Sequence, residues 1–137
     1  MELTRSIQVP CSRDDAVERL AGDQLLLELL PGDTELVSSE GDRRTTRTRY
    51  TALGQEGVAT FHFTTLMDGS LRFEKECNGR VWRELAGEVQ VEESGDGAEI
   101  EISLRGRTKA LVPEFTIKAP MEEQIEQMVN ALEDALS

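Results

Sequence analysis

Hydrophobic and polar residues alternate along much of this chain, and a different apolar spacing closes it. In residues 99–105, Ile100, Ile102 and Leu104 point to one side of a strand while charged residues and a serine point to the other. In residues 120–137 the apolar positions recur every three or four residues, which places them on one face of a helix. That stripe consists of Met121, Ile125, Met128, Leu132 and Leu136. The pattern predicts a β-rich chain that ends in an amphipathic helix.

The first thirty residues predict one strand and two short helices. Residues 3–9 alternate as a strand does and are followed by Pro10. Ser12 is the expected N-cap of the first helix, since an acidic residue follows three positions later, and Gly22 ends that helix. A second short helix is predicted from Asp23 up to the stop at Pro31 and Gly32.

Six further strands follow, and short turns rich in glycine join each to the next. Because each turn is short, the strands form an antiparallel meander. One face of the fifth of these strands carries Leu85, Val89 and Val91. Trp82 would lie on the opposite face unless a bulge shifts the alternation between them. We expect that bulge at Ala86-Gly87. The predicted strands cover residues 34–40, 43–53, 57–67, 71–77, 81–93 and 99–107.

The sheet has one apolar face that needs a cover, and the last helix is the long one available. About seventeen residues at 1.5 Å each span about 25 Å, enough to cross several strands about 4.8 Å apart. We therefore predict an α+β fold. A seven-stranded curved antiparallel sheet wraps around the long C-terminal helix, and two short helices lie between strands 1 and 2. At 137 residues, residues 1–137 are expected to form a single domain.

Charge and hydropathy exclude several classes of partner. The formal net charge is −12, so the mean field of the protein repels nucleic acid and anionic membrane surfaces. No apolar run approaches the roughly 20 residues of a spanning helix, so we expect no stable membrane insertion. The start of the chain has neither the basic residues nor the apolar stretch of a signal peptide, which makes the cytoplasm the expected location.

Four arginines form a local exception to the acidic composition, at positions 43, 44, 47 and 49. The favoured interpretation is a strand whose arginines pair across to acidic neighbours such as Glu40, Glu56 or Glu74. An anion-binding patch is the alternative.

The two thiols and the single imidazole are poor candidates for chemistry. Cys11 and Cys77 are far apart in sequence and are expected to be reduced packing residues, with a Cys77–His62 nucleophilic pair as the open alternative. His62 lies on the parity opposite Phe61 and Phe63, which predicts a surface position. With no cluster of metal ligands and no phosphate-binding glycine loop, the sequence predicts no metal site and no cofactor.

The element order resembles that of the START-like superfamily, also called the SRPBCC or helix-grip superfamily. The likeness covers nearly the whole chain and includes "SIQVPCSRDDAVERLAG", "LLPGD" and "MEEQIEQMVNALEDAL". The superfamily includes plant pathogenesis-related proteins, bacterial polyketide cyclase/dehydrase-type proteins and ubiquinone-binding proteins. The resemblance implies a ligand cavity between the sheet and the long helix. The expected ligand-binding residues are Tyr50, Phe61, Phe63, Phe73, Trp82, Ile102, Leu104, Met128 and Leu132.

Three functional hypotheses remain open from the sequence. The first is a non-catalytic binder or carrier of a hydrophobic small molecule, such as a lipid, an isoprenoid or a polyketide, acting as a monomer or homodimer. Its pocket is expected to hold roughly 300–1,000 Å³ between Phe61, Phe63, Phe73 and the helix. The second is a cyclase/dehydratase-type enzyme in which Tyr50, His62 or Arg83 moves protons. The third is a protein-interaction module with a filled core.

Overall fold

The computed structural model describes residues 1–52 and 54–137, and these residues confirm the predicted α+β fold. They form a seven-stranded antiparallel sheet with the strand order β1-β7-β6-β5-β4-β3-β2. Leu53, the last residue of the predicted third strand, lies outside the described residues. The elements are β1 (Glu2–Val9), α1 (Arg13–Ala21), α2 (Asp23–Leu26), β2 (Asp33–Glu40), β3 (Arg43–Ala52), β4 (Gln55–Thr65), β5 (Leu71–Lys75), β6 (Trp82–Ser94), β7 (Gly97–Thr108), a 3-10 turn (Glu114–Ile117) and α3 (Lys118–Leu136).

The predicted cap of the first helix is confirmed, whereas the second helix is shorter than expected. The Ser12 hydroxyl accepts a hydrogen bond from the backbone N–H of Asp15 at 3.2 Å, which satisfies a donor at the start of α1. α2 ends at Leu26 instead of running on to Pro31. The backbone N–H groups of Leu27 and Glu28 bond carbonyls three residues back, so the turn tightens there. Pro31 also disfavours helical backbone at the residue before it.

The position predicted for the bulge in β6 is wrong. The register between β6 and β7 shifts between Trp82 and Glu84, not at Ala86-Gly87. The extra residue is Arg83, which is exposed. Because the bulge adds one residue, Trp82 returns to the inner face, where it pairs with Thr108. The expectation that a bulge would correct the parity of Trp82 is therefore confirmed, at a different place.

The long C-terminal helix covers the sheet as predicted. α3 packs against β1 and β7, and all five residues of its predicted stripe are fully buried. The backbone of β7 approaches the helix closely at Gly106, where a Cβ would lie 2.7 Å from the sulfur of Met121. A larger residue at this position would require the Met121 side chain to shift.

Arg44 attaches the helical layer to β3, a role that the sequence did not reveal. Its guanidinium donates hydrogen bonds to the carbonyls of Leu20 at 3.1 Å and Gly22 at 2.8 Å, and it pairs with the carboxylate of Asp23 at 3.3 Å. Arg44 is therefore neither part of a surface ladder nor an anion-binding residue. The solvent-facing Arg47 does form the expected kind of cross-strand pair, with Glu35 at 3.5 Å.

Candidate ligand site

Most of the predicted ligand-binding residues come together in one buried cluster between the sheet and α3. The three phenylalanine rings form a row across β4 and β5, with centroids 6.3 Å apart for Phe61–Phe63 and 6.0 Å apart for Phe63–Phe73. Each of the predicted residues in this cluster is at most 4% exposed. The members from the predicted set are Phe61, Phe63, Phe73, Ile102, Leu104, Met128 and Leu132.

The other two predicted residues lie at the margin of this cluster or away from it. Trp82 is half-buried and packs against the cluster. Tyr50 is 37% exposed near the end of β3, where its ring lies across Gly57. A Cβ at Gly57 would approach the ring carbon Cζ to 2.5 Å, so the glycine makes room for the tyrosine. Tyr50 therefore lines the surface near the end of the sheet and not the buried interior.

The sequence predicted a pocket between the phenylalanines and α3, and neither of the two depressions that follow lies there. In residues 1–52 and 54–137 the two best-formed depressions have volumes of about 400 and 660 Å³. The smaller lies between the ends of β5 and β6, the larger beside Tyr50, and neither is lined by a residue of α3. Leucines from the α1–α2 region help to fill the interior. They are Leu20, Leu25, Leu26, Leu29 and Leu30, each at most 4% exposed.

Two buried polar atoms in this layer have no hydrogen-bond partner among the described residues. They are Oγ1 of Thr46 and Nε2 of Gln124. Thr46 is directly opposite Phe61 in the β3–β4 register, so it shares the inner face of the sheet. Gln124 belongs to the buried side of α3. The neighbouring inner-face Thr48, in contrast, has a partner in Thr34, whose hydroxyl lies 2.7 Å away.

Lys75 is the cationic residue at the end of the apolar face of β5. It alternates with buried Leu71 and Phe73 on that strand, which places it on the same face. Its Nζ lies 5.2 Å from the ring centroid of Trp82, a cation–π geometry. Burial lowers the pKa of the Lys75 amine from its usual value, and the electrostatic interaction with neighbouring Cys77 opposes that shift.

His62 lies on the outer face and is held between two polar side chains. Its Nδ1 is 2.9 Å from the hydroxyl of Thr45, and its Nε2 is 2.7 Å from the carboxylate of Glu76. The predicted parity is confirmed, but the side chain is half-buried and not a freely exposed one. Both ring nitrogens are engaged, and Cys77 instead points its thiol at the carbonyl of Lys75. The Cys77–His62 pair is therefore not formed.

The three residues expected to move protons in an enzyme do not meet in the interior. His62 is on the outer face, Arg83 is exposed in the β6 bulge, and Tyr50 lies near the end of the sheet. Lys75, a titratable residue on the inner face of β5, was not among the residues expected to move protons. Its alternation with Leu71 and Phe73 was the available signal.

Known structures share this architecture. The Zhui aromatase/cyclase from Streptomyces sp. R1128 matches with a TM-score of 0.80 at 12% identity, covering 99% of this chain and 93% of that one. A START superfamily protein from Mycobacterium smegmatis matches at 0.74 and 16% identity, covering 98% and 96%. The fold is START-like. A STAR-related lipid transfer protein from Xanthomonas axonopodis shares the START-like fold, with a TM-score of 0.66, 16% identity and coverage of 98% and 85%.

Sequence comparison adds no closer relationship. No family model matches the chain, and no curated protein matches it. None of the helices formed by the described residues is both long enough and apolar enough to cross a membrane. The START-like fold is thus the extent of the relationship shown.

Proposed function

We propose that the protein binds or carries a hydrophobic small molecule, of lipid, isoprenoid or polyketide type, between the sheet and α3. The observation that carries this proposal is that two buried polar atoms lack a partner among the described residues, Oγ1 of Thr46 on the inner face of the sheet and Nε2 of Gln124 on the buried side of α3. Each such atom costs about 1–3 kcal/mol when it is left unsatisfied. A carbonyl or hydroxyl oxygen on an apolar guest would accept a hydrogen bond from the Gln124 amide. A hydroxyl or carbonyl group would likewise satisfy Thr46.

The closed interior means that a guest enters by repacking side chains. Met121 and Met128 form part of the buried wall, and methionine adapts its shape more readily than branched residues do. Two of the structures with this fold carry the names aromatase/cyclase and lipid transfer protein, which supports a ligand of this chemical type. The binding step would therefore involve induced rearrangement of the interior.

The proposal is tested by titrating the protein with long-chain fatty acids, quinones and flavonoid-like aromatics. The chain has one tryptophan, so the emission of Trp82 reports on the margin of the cluster, and thermal melting reports on stability. A ligand at 100 times its dissociation constant should stabilise the fold by about 2.7 kcal/mol. The proposal fails if no apolar compound raises the melting temperature up to its solubility limit.

A variant at Gln124 distinguishes a loss of ligand affinity from a loss of core stability. Gln124→Leu removes the unpartnered amide, so the ligand-free protein should become as stable as the original or more stable. Binding of an oxygen-bearing ligand should weaken at the same time, because the hydrogen-bond donor is gone. The matched control is Gln90→Leu on the exposed outer face of β6, which should leave binding unchanged. Weaker folding together with unchanged binding in Gln124→Leu would contradict the proposal.

An enzyme of the cyclase/dehydratase type is the second candidate, favoured by the position of Lys75, a half-buried amine at the end of the apolar face of β5 whose pKa burial lowers. The test is conversion of a β-hydroxy ketone of polyketide type, followed by mass spectrometry. Turnover that is lost in Lys75→Met while binding persists would support catalysis. Absence of turnover in the unmodified protein would leave the binding function alone.

A further inference from the structure

The pairing between β5 and β6 stops before either strand ends, and an opening lies between them. They pair only from Leu71↔Val89 to Glu74↔Ala86, although β5 continues to Lys75 and β6 begins at Trp82. The depression of about 400 Å³ occupies this place, and we call it the β5–β6 slot. The slot is lined by Glu74, Lys75, Cys77, Arg83, Glu84, Leu85, Ala86 and Arg105. Leu85 is also a member of the buried cluster, so one wall of the slot borders the apolar interior.

The half-buried ammonium of Lys75 has no carboxylate within 4.0 Å among the described residues. The nearby acids are engaged elsewhere. Glu84 pairs with Arg105 at 2.5 Å, and Glu76 binds His62 at 2.7 Å. Glu74 also lines the slot, but it alternates with Lys75 along β5 and so belongs to the opposite face of the strand. In a chain with 27 acidic residues, an inner-face lysine with no carboxylate within 4.0 Å among the described residues is an unusual arrangement.

We propose that Lys75 binds the carboxylate of an amphipathic acid, such as a fatty acid, whose apolar tail passes Leu85 into the interior. This inference rests on the proposed function and names the class of its ligand. The order of groups fits such a molecule, since Lys75 lies at the slot while Phe73 and Leu71 follow on the same face toward the core. The face of Trp82 beside the ammonium would contact the first carbons of the tail.

The net charge of −12 does not oppose this binding mode strongly. A monocarboxylate brings a single negative charge, which the Lys75 ammonium neutralises on contact. Charges on distant surfaces are screened over about 8 Å at physiological ionic strength. The acidic composition therefore selects against polyanions more than against a fatty acid.

The test compares dodecanoate with methyl dodecanoate by calorimetry at pH 7.5, in vesicle-free solution and below the concentration at which either aggregates. The two probes share the alkyl chain and differ in the charge of the head group. The unmodified protein should bind the acid at least about tenfold more tightly, the factor that corresponds to about 1.4 kcal/mol. Lys75→Met should remove that preference and leave the affinity for the ester within about twofold. Lys75→Arg should keep most of the preference, because the positive charge remains.

Arg72→Met is the matched control, since Arg72 is an exposed cation on the outer face of the same strand. It should leave the preference for the acid intact. The carboxylate assignment is overturned if the unmodified protein binds both probes equally, or if Lys75→Met weakens both to the same degree. It is also overturned if Arg72→Met has as large an effect as Lys75→Met. If neither probe binds and no other apolar compound does, the proposed function itself has failed.

Discussion

Phe63 and Phe73 lie directly opposite each other on β4 and β5, with ring centroids 6.0 Å apart and at most 1% of either side chain exposed. Phe61 continues the row on the same strand as Phe63. This row forms the centre of the sheet's inner face. Thr46, one of the two residues with an unpartnered buried polar atom, lies directly opposite Phe61 at the end of this row, so a guest that bonds Thr46 must contact the row.

Changes in the size of Phe63 should affect stability and binding in different ways. Phe63→Ala should lower the free energy of unfolding by about 3–5 kcal/mol, because it leaves a cavity in the row. If the protein stays folded, the added room should strengthen binding of apolar guests. Phe63→Trp should overpack the row at a cost of about 1–3 kcal/mol and weaken binding without unfolding the protein.

Urea denaturation measures the stability of these variants, and the melt titration measures their binding. Val58→Ala is the control, because Val58 is on β4 but exposed, and it should change stability by less than about 0.5 kcal/mol. Tighter binding in Phe63→Trp than in Phe63→Ala would contradict an interior site.

The C-terminal helix should be essential to the fold. Ile125 is fully buried on α3, so Ile125→Asp should leave an aggregating or unfolded chain, much as deletion of residues 120–137 should. Glu126→Ala, one residue away, removes an exposed ion pair with Arg5 and should cost about 0–1 kcal/mol. Circular dichroism melts of both variants provide the comparison. A cooperative, monomeric melt in the truncated chain would show that the sheet does not need α3.

The arginines of β3 should divide into one structural residue and two surface residues. Arg44→Gln should cost at least about 1.5–3 kcal/mol, because charged hydrogen bonds to the end of α1 are lost from a buried position. Replacing Arg47 and Arg49 together by Gln should cost about 0–1 kcal/mol and leave ligand uptake intact, since both are exposed. Chemical denaturation distinguishes the two cases. If the double variant stays folded but loses ligand binding, the result would support an anion-binding patch at Arg47 and Arg49.

The free energy of unfolding should depend on pH through the titration of Lys75, and the burial of this residue determines the sign of that dependence. Burial lowers the pKa of this amine below its usual value of 10.5 in the folded protein. Between the folded and unfolded pKa values the unfolded chain binds more protons, so the free energy of unfolding rises with pH in that window. The unmodified protein should therefore gain stability relative to Lys75→Met as the pH rises from 7 toward 10.5.

Urea midpoints at pH 7 and pH 10 provide this measurement for the unmodified protein and for Lys75→Met. Lys118→Met, which changes an exposed lysine at the start of α3, serves as the control. A difference between Lys75→Met and the unmodified protein that stays constant over this range would show that the amine is not desolvated.

Local sequence signals predicted the architecture well because they depend on neighbouring residues. The pairing of Ser12 with the Asp15 backbone and the apolar stripe of α3 both follow from spacing within one element. The role of Arg44 was not predictable in this way, because its partners lie on α1 and α2, over twenty positions earlier in the chain.

The sequence could not decide between a pocket and a filled interior, because a cavity is a small difference between two large volumes. Whether space remains beside Phe63 depends on how the leucines of the α1–α2 region pack, and no local pattern determines that. The burial of Gln124 depends on the rotation of α3 about its own axis, which the sheet sets. The sequence pattern does not show which of the polar residues on either side of an apolar stripe will be buried.

The most direct test of an interior ligand site is an NMR titration of protein labelled with carbon-13 at its methionine methyl groups. Met121 and Met128 are fully buried in α3, while Met67 is fully exposed in the turn between β4 and β5 and serves as an internal control. Addition of dodecanoate or a long-chain quinone should shift the Met121 and Met128 signals in a saturable way and leave Met67 unchanged. Unchanged Met121 and Met128 signals up to the solubility limit of every apolar compound tried would contradict ligand binding between the sheet and α3.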